Sequence, residues 1–188
     1  MSPVTHFLFG WVLANTTELN RRERTLVTLA GVAPDVDGLG VIPEVLTRNS
    51  SHPLLWFSQY HHVMHNALFS VVVAAAAFAL AARRWKTALL ALVSFHLHLL
   101  CDVLGARGPD GYAWPIPYLL PFSNSVQWTW HGQWPLNGWQ NMVITVALLL
   151  TTLFLAWKRG YSPLEMFSLK ADRRFVETLR ERFQVPVH

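Results

Sequence analysis

The 188-residue sequence is poor in cysteine and in charge. Its single cysteine, Cys101, excludes an internal disulfide framework and a cysteine-based zinc site, so a metal would have to be held by histidine and carboxylate side chains. Charged residues make up 14% of the chain, whereas an average soluble domain has about 25%. A chain that is 52% hydrophobic and contains nine tryptophans is typical of a membrane-embedded protein.

The apolar runs predict an all-α, integral membrane helical bundle. Two short runs, residues 1–14 and 25–33, fall below the roughly 20 residues of a full span, and we expect them to form an N-terminal helical hairpin. The first run also lacks a basic start and a small-residue cleavage site, so we expect it to remain in the mature protein. The remaining runs predict three clear spans, over residues 60–82, 87–104 and 142–157.

The chain divides into two parts by composition. Residues 1–160 are predicted to form the membrane-embedded domain that carries the metal site, and residues 161–188 an amphipathic C-terminal tail. Between the runs, residues 39–59 are expected to form an irregular surface loop, and residues 105–141 a long loop that holds five of the nine tryptophans. These tryptophans suit an aromatic belt at the membrane boundary, a substrate-lining role, or both.

The basic residues predict the orientation. If the hairpin crosses twice, 13 of the 15 lysines and arginines fall on one face, which the positive-inside rule assigns to the cytoplasm, together with the C-terminus. Only Arg48 and Arg107 fall on the other face. The net charge of +4 therefore reflects membrane topology, and no nucleic-acid partner is expected. The predicted location is a bacterial inner membrane.

Histidine and aspartate residues recur at spacings that suit a metal site. His98 and Asp102 are four residues apart in an apolar run, which on a helix stacks them on one face about 6 Å apart. His61 and His65 share this spacing and are expected on the first turns of the span predicted over residues 60–82. A buried His–Asp hydrogen bond that holds helices together remains an alternative for the first pair. His62 and His96 are predicted to face elsewhere, as surface or hydrogen-bonded histidines.

The predicted topology brings seven candidate ligands together at the face opposite the basic residues. Seven ligands exceed the four of a tetrahedral zinc ion, so two ions bridged by Asp102 are expected, with zinc first and manganese or iron as alternatives. The catalytic candidates are Asp35, Asp37 and Asp102; whichever of Asp35 and Asp37 is not a ligand could orient a water or a histidine. The seven residues are His6, Asp35, Asp37, His61, His65, His98 and Asp102.

The same residues resemble a known family, the small bacterial inner-membrane proteins called membrane-bound metal-dependent hydrolases. The resemblance runs from Thr5-His6 to about the Pro121-Phe-Ser123 segment. It includes three motifs: Pro34-Asp-Val-Asp37, the histidine motif that begins at His61, and His98-Leu-Leu-Cys-Asp102. That family usually has His-Arg and Thr-His-Ser where this chain has His61-His62 and Met64-His65-Asn66. More distantly, the order of ligands is similar to that of zinc-dependent phospholipases C and single-strand nucleases.

These observations predict a hydrolase that cleaves a phosphoester of a membrane lipid or a lipid-linked substrate through a metal-activated water, at a site on the periplasmic side. One alternative is a non-enzymatic metalloprotein, either a metal transporter or an electron carrier with a haem between His65 and His98. Another is a structural assembly protein that uses its aromatic loop as an interface. The sequence predicts neither the substrate, the metal nor the oligomeric state.

Overall fold

Helices account for most of the protein. The computed structural model describes residues 1–183 and is 64% helix and 3% strand, which confirms the all-α class. Residues 184–188 of the predicted tail lie outside the described residues. The α-helices are α1 (Pro3–Ala14), α2 (Arg21–Ala30), α3 (Val41–Thr47), α4 (Trp56–Tyr60), α5 (Ala67–Leu80), α6 (Arg84–Gly105), α7 (Trp139–Arg159) and α8 (Leu169–Arg182), and two 3-10 helices cover Ala33–Gly40 and Pro163–Met166.

Two helices, α6 and α7, are long and apolar enough to cross a membrane. The span predicted over residues 60–82 is shorter in the structure: α5 has 14 residues and is about 21 Å long, whereas the hydrocarbon core of a bilayer is about 30 Å thick. Helix α2 and residues 33–47 together meet the length and apolarity criteria but are bent by 55°. The described chain thus has two candidate spans, or three if this bent pair is one span.

Local sequence signals set the helix starts near the cluster. The Ser2 side chain accepts a hydrogen bond from the Thr5 backbone N–H at the start of α1. Asn20 and Glu23 form a reciprocal capping box at the start of α2. Asn66 caps α5 by accepting from the Phe69 N–H, so this helix begins after His65.

The first two helices and α6 pack unusually closely. A Cβ atom added to Gly10 of α1 would lie 2.8 Å from the Thr28 carbonyl oxygen of α2, and one added to Gly31 would lie 2.7 Å from Ser94 Oγ of α6. Only glycine permits these approaches. They bring the backbone of residue 31 beside the α6 face that carries His98.

Two regions differ from the sequence-based expectation. Residues 39–59 are not an irregular loop, since they contain α3, α4 and the end of a 3-10 helix. The long loop contains a small antiparallel sheet of β1 (Ile116–Pro117) and β2 (Gln127–Trp128). Local turns in α3 and α4 pack against the 3-10 helix, and such tertiary support overrides the weak helix propensity of short segments.

The C-terminal segment docks against the opposite end of the bundle from His98. Arg24 donates two hydrogen bonds to the Glu165 carboxylate, at 2.7 and 2.8 Å, and both side chains are nearly buried. The Arg24 guanidinium also lies over the Tyr161 ring. Asp172 of α8 accepts hydrogen bonds from the backbone and hydroxyl of Ser162. Helix α8 is amphipathic, as predicted, and it is held by these buried polar contacts.

Candidate metal centre

Helix α6 supplies two side chains from one face, as the spacing predicted. His98 Nε2 lies 3.0 Å from Asp102 Oδ2, and both residues are buried. His98 Nδ1 donates a hydrogen bond of 2.9 Å to the Gly31 carbonyl oxygen. This bond places the proton of the neutral ring on Nδ1, so Nε2 faces Asp102 with its lone pair.

His65 joins this pair from the turn that precedes α5. Its Nε2 lies 3.2 Å from His98 Nε2 and 3.7 Å from Asp102 Oδ2. The side chain is fully buried, and this burial lowers the pKa of His65, which favours the neutral ring that a metal requires. Two imidazoles and a carboxylate therefore converge on one point.

His6 and Asp35 approach the same point from the other side. The His6 ring stacks on the His98 ring at 3.7 Å, and His6 Nε2 lies 3.1 Å from Asp102 Oδ1. Asp35 Oδ1 lies 3.8 Å from His98 Nε2. Within residues 1–183, neither ring nitrogen of His6 forms a well-directed hydrogen bond, and Asp35 Oδ2 is likewise buried without a partner. Buried polar atoms left in this state are costly, and a bound cation would satisfy the Asp35 oxygen and one of the two His6 nitrogens.

These five residues form two overlapping groups whose ligand atoms lie within 4.8 Å of one another, His6–Asp35–His98 and His65–His98–Asp102. His98 has one nitrogen left for an ion, because the other is bonded to Gly31. Asp102 presents separate oxygens to the two sides, Oδ1 to His6 and Oδ2 to His98. The α-amino group of Met1 also pairs with Oδ1, so this side of Asp102 already faces a positive charge.

Two of the seven predicted ligands lie outside both groups. His61 and His65 are not on one helix: His61 caps the end of α4, and a turn separates it from His65. The predicted helical pairing is therefore wrong, and the cause is the Asn66 cap, which starts α5 later than the apolar run suggested. Asp37, the seventh candidate, bonds His61 instead, through Oδ1 at 2.9 Å from Nδ1.

Asp37 organises the turn that carries His65. Its Oδ2 accepts a hydrogen bond of 2.9 Å from the Met64 backbone N–H and lies 3.6 Å from His65 Nδ1. Gly38 permits this arrangement, because a Cβ at that position would approach the His61 ring to 3.0 Å. Asp37 thus holds the Nδ1 atom of His61. Orienting a histidine in this way was one of the two roles predicted for the aspartate that is not a ligand.

Three further residues that support the cluster were not identified from the sequence. Gly31 supplies the carbonyl that orients His98. Gln133, buried in the long loop, donates to the Asp102 carbonyl oxygen at 2.8 Å and accepts from the Trp114 N–H. Trp114 in turn stacks against the His61 ring at 5.4 Å. Nothing in the pattern of a single sequence distinguishes these residues from ordinary loop and helix positions.

The two histidines predicted to face elsewhere do so. His96 bonds the Leu92 carbonyl oxygen through Nδ1 and the Tyr118 hydroxyl through Nε2, at 2.8 and 2.9 Å. His62 borders a polar cleft on the outside of Trp114. Neither ring belongs to the two groups of candidate ligands found in the described part of the chain.

A cavity of about 530 Å³ opens beside the cluster. Asp35 and His61 form its polar wall, while the other walls are mainly apolar and include Val32, Leu39 and Phe57. Its size falls within the range of small-molecule sites. A ligand in this cavity would therefore reach the candidate metal ligands through Asp35.

Comparison with known proteins places these features in a family. The family of YdjM inner membrane proteins matches residues 1–169, a stretch that includes all seven sequence-predicted ligands and both candidate spans. No curated protein and no solved structure matches the chain.

Proposed function

We propose that this chain, which belongs to the YdjM inner membrane protein family, is a membrane-bound metal-dependent hydrolase that cleaves a phosphoester of a lipid or lipid-linked substrate. The observation that carries the proposal is the buried convergence of His65, His98 and Asp102, with His98 oriented by a backbone carbonyl. A buried ionisable cluster in a membrane protein is expensive to maintain and usually functional.

The donor set fits a divalent cation. Neutral imidazoles and carboxylates suit zinc, manganese or iron, and the buried Asp35 oxygen and one ring nitrogen of His6 would gain a partner from a cation. His65, His98 and Asp102 would hold one ion, and His6 and Asp35, which approach the same cluster from the other side, would hold a second. A divalent cation bound there would supply Lewis acidity, which acidifies a water and polarises a phosphoryl oxygen.

Residues on the cavity side supply the remaining chemistry. His61 borders the cavity, and its Nδ1 is bonded to Asp37, so Nε2 remains for proton exchange. We assign to His61 the donation of a proton to the leaving oxygen, with Asp37 holding the ring in position. The sequence analysis predicted His61 as a direct metal ligand, and the proposal gives it this proton-donating role instead.

The proposal includes an orientation in the bacterial inner membrane. The basic segments at residues 21–24, 83–86 and 158–159 lie at the end of the bundle where α8 docks, and the histidine and aspartate cluster lies at the other end. Under the positive-inside rule, the first end and the C-terminus are cytoplasmic and the cluster faces the periplasm. The substrate is then reached from the outer leaflet or the periplasm.

The geometry disfavours a haem carrier. The ring nitrogens of His65 and His98 are 3.2 Å apart, and their rings are tilted by 52°. That spacing leaves no room for a porphyrin plane between them. The relationship to zinc-dependent phospholipases C and single-strand nucleases stays part of the proposal, supported by the mixed His and Asp ligands.

A metal assay combined with turnover measurements tests the proposal. The protein purified in detergent is expected to contain zinc, manganese or iron and to hydrolyse at least one member of a panel of phosphodiesters and lipid phosphoesters. His98→Ala should remove both metal and turnover, whereas His52→Ala, at an exposed histidine, should keep both. Metal-free protein, a haem Soret band, or turnover that survives His98→Ala would contradict it. Bound metal without turnover would favour a transporter.

A further inference from the structure

The cavity beside the cluster combines a few polar side chains with mainly apolar walls. The polar side chains include Asp35, whose Oδ1 lies 3.8 Å from His98 Nε2, and His61. The apolar lining includes Pro3, Leu39 and Leu136. A ligand that fills the cavity therefore combines a polar group at the cluster with a hydrocarbon part that extends away from it.

The apolar lining of the cavity reaches an exposed surface of the protein that suits lipid. Leu39 is 60% exposed and Leu136 is 51% exposed, so both reach from the cavity wall to the outside. The apolar surface continues along α3, where Ile42 is 55% and Leu46 is 79% exposed. Exposed apolar patches of this kind mark protein or membrane contacts. In a chain with candidate spans, the contact is the hydrocarbon of the bilayer.

The helix arrangement leaves this surface on the outside of the protein. Residues 33–47 bend by 55° from α2 instead of continuing it. Helix α3 packs on the 3-10 helix and on α4 and leaves its apolar side chains exposed. A lipid that contacts this surface would therefore lie beside Leu39, which is also part of the cavity wall.

We infer that this cavity binds one hydrocarbon chain of the lipid substrate and holds its phosphoester beside Asp35 and His61. The inference rests on the proposed function for the reaction, but binding itself can be measured without turnover. It assigns to Leu39 and Leu136, two apolar residues of the cavity wall, the selection of lipids with a long chain. The second chain of a two-chain lipid stays in the bilayer beside α3.

The binding test uses a phosphatidic acid with a photoactivatable diazirine in one acyl chain, added to the full-length protein in detergent. Peptide mass spectrometry is expected to find the label on residues 32–39 and on Phe57. Leu39→Trp and Leu136→Trp each put a larger side chain into the cavity and should each lower labelling of the Phe57 peptide at least fivefold. Ile42→Trp is the matched control, because Ile42 is as exposed as Leu39 but does not line the cavity. It should leave labelling within twofold.

A second measurement separates chain binding from the reaction. With turnover, Leu39→Trp should lower kcat/KM for a long-chain lipid phosphoester at least tenfold more than it lowers kcat/KM for bis(p-nitrophenyl) phosphate, and Ile42→Trp should leave both values within twofold. If no substrate turns over but the cavity variants still block labelling, the binding of a lipid chain in the cavity is supported and the proposed hydrolase activity is contradicted. If both tryptophan variants label like the wild type, or Ile42→Trp lowers labelling as much as they do, the inference is overturned.

Discussion

At the residue scale, one backbone carbonyl decides which nitrogen of His98 faces the cluster. The bond to Gly31 fixes the tautomer, and the helix fixes Asp102 one turn away. Neither element depends on a loop, so this pair is the most rigid part of the candidate site. The other side chains, His6, Asp35 and His65, arrive from separate segments and meet at this pair.

Replacing Asp102 by asparagine should have the largest effect of any conservative change in the chain. Asp102→Asn keeps the size and one oxygen but removes the negative charge that faces both His6 and His98. In the proposed two-ion site, the cations would then repel each other in a poorly screened environment. We expect the variant to insert and fold, to lose at least one metal equivalent and to lose nearly all turnover, as measured by elemental analysis and a hydrolysis assay.

His96→Ala is the control for that prediction. His96 lies on α6 two residues before His98, yet its ring bonds Leu92 and Tyr118 rather than the cluster. The variant should keep most of the metal and turnover. The opposite pattern, with full activity in Asp102→Asn and none in His96→Ala, would show that the wrong face of α6 had been assigned.

The residues that the sequence located correctly are those whose geometry a helix determines. The i,i+4 rule placed His98 and Asp102 on one face, and the structure agrees. The same rule failed for His61 and His65, because Asn66 caps α5 and leaves the two histidines in a turn. A carbonyl such as that of Gly31 carries no side-chain signal, so its role can be seen only in three dimensions.

At the element scale, close packing of α1, α2 and α6 sets the distance from Gly31 to His98. Gly31→Ala would place a Cβ 2.7 Å from Ser94 Oγ and 3.1 Å from the His6 carbonyl oxygen. Overpacking of this kind typically costs about 1–3 kcal/mol. We expect a lower melting temperature in detergent and weaker metal binding, because the Gly31 carbonyl must shift away from His98.

The double variant Gly31→Ala with Ser94→Ala tests whether the helix contact is the cause. Removing Ser94 Oγ relieves the shortest of these contacts and should restore part of both the melting temperature and the metal affinity. If Ser94→Ala gave no recovery, helix spacing would not be what limits the orientation of His98.

The C-terminal segment is predicted to stabilise the bundle through one buried ion pair. Glu165→Ala leaves Arg24 nearly buried without its partner, and losing one member of such a pair typically costs about 3–5 kcal/mol. The variant should melt at a clearly lower temperature and release α8 to protease. Glu181→Ala, at an exposed position on α8, is the control and should behave like the wild type.

Element types were easier to predict than element limits. The runs that became α6 and α7 were located to within three residues at each end. Helices α3 and α4 were missed, because segments of seven and five residues carry little periodicity and depend on packing against the 3-10 helix. The docking of the tail through Glu165 could not be predicted either, because it joins residues 141 positions apart.

At the scale of the whole molecule, the two ends of the bundle differ in chemistry. Basic side chains gather where α8 docks, and histidines and carboxylates gather where the cavity opens. Charge asymmetry and ligand clustering are separate observations, and both predict the same orientation.

Cysteine labelling in intact cells checks that orientation. In a Cys101→Ala background, cysteines at Arg84 and Arg159 should be labelled only by a reagent that enters the cytoplasm. Cysteines at Ser50 and Asn124 should be labelled by an impermeant reagent added outside. All four native positions are exposed, so access depends on the side of the membrane. Labelling of all four from one side would contradict the topology.

The separation of the cluster's members along the chain also sets when the site can form. His6 and Asp102 are 96 positions apart, and a ribosome adds about 5–20 residues per second, so His6 waits about 5–20 seconds for its partner. During that interval His6 and Asp35 lack the helix that brings His98 and Asp102. An ion that entered with the nascent chain would find no complete set of ligands. In the proposed metal site, loading would therefore follow membrane insertion of α6, and the metal would come from the compartment onto which the finished cavity opens.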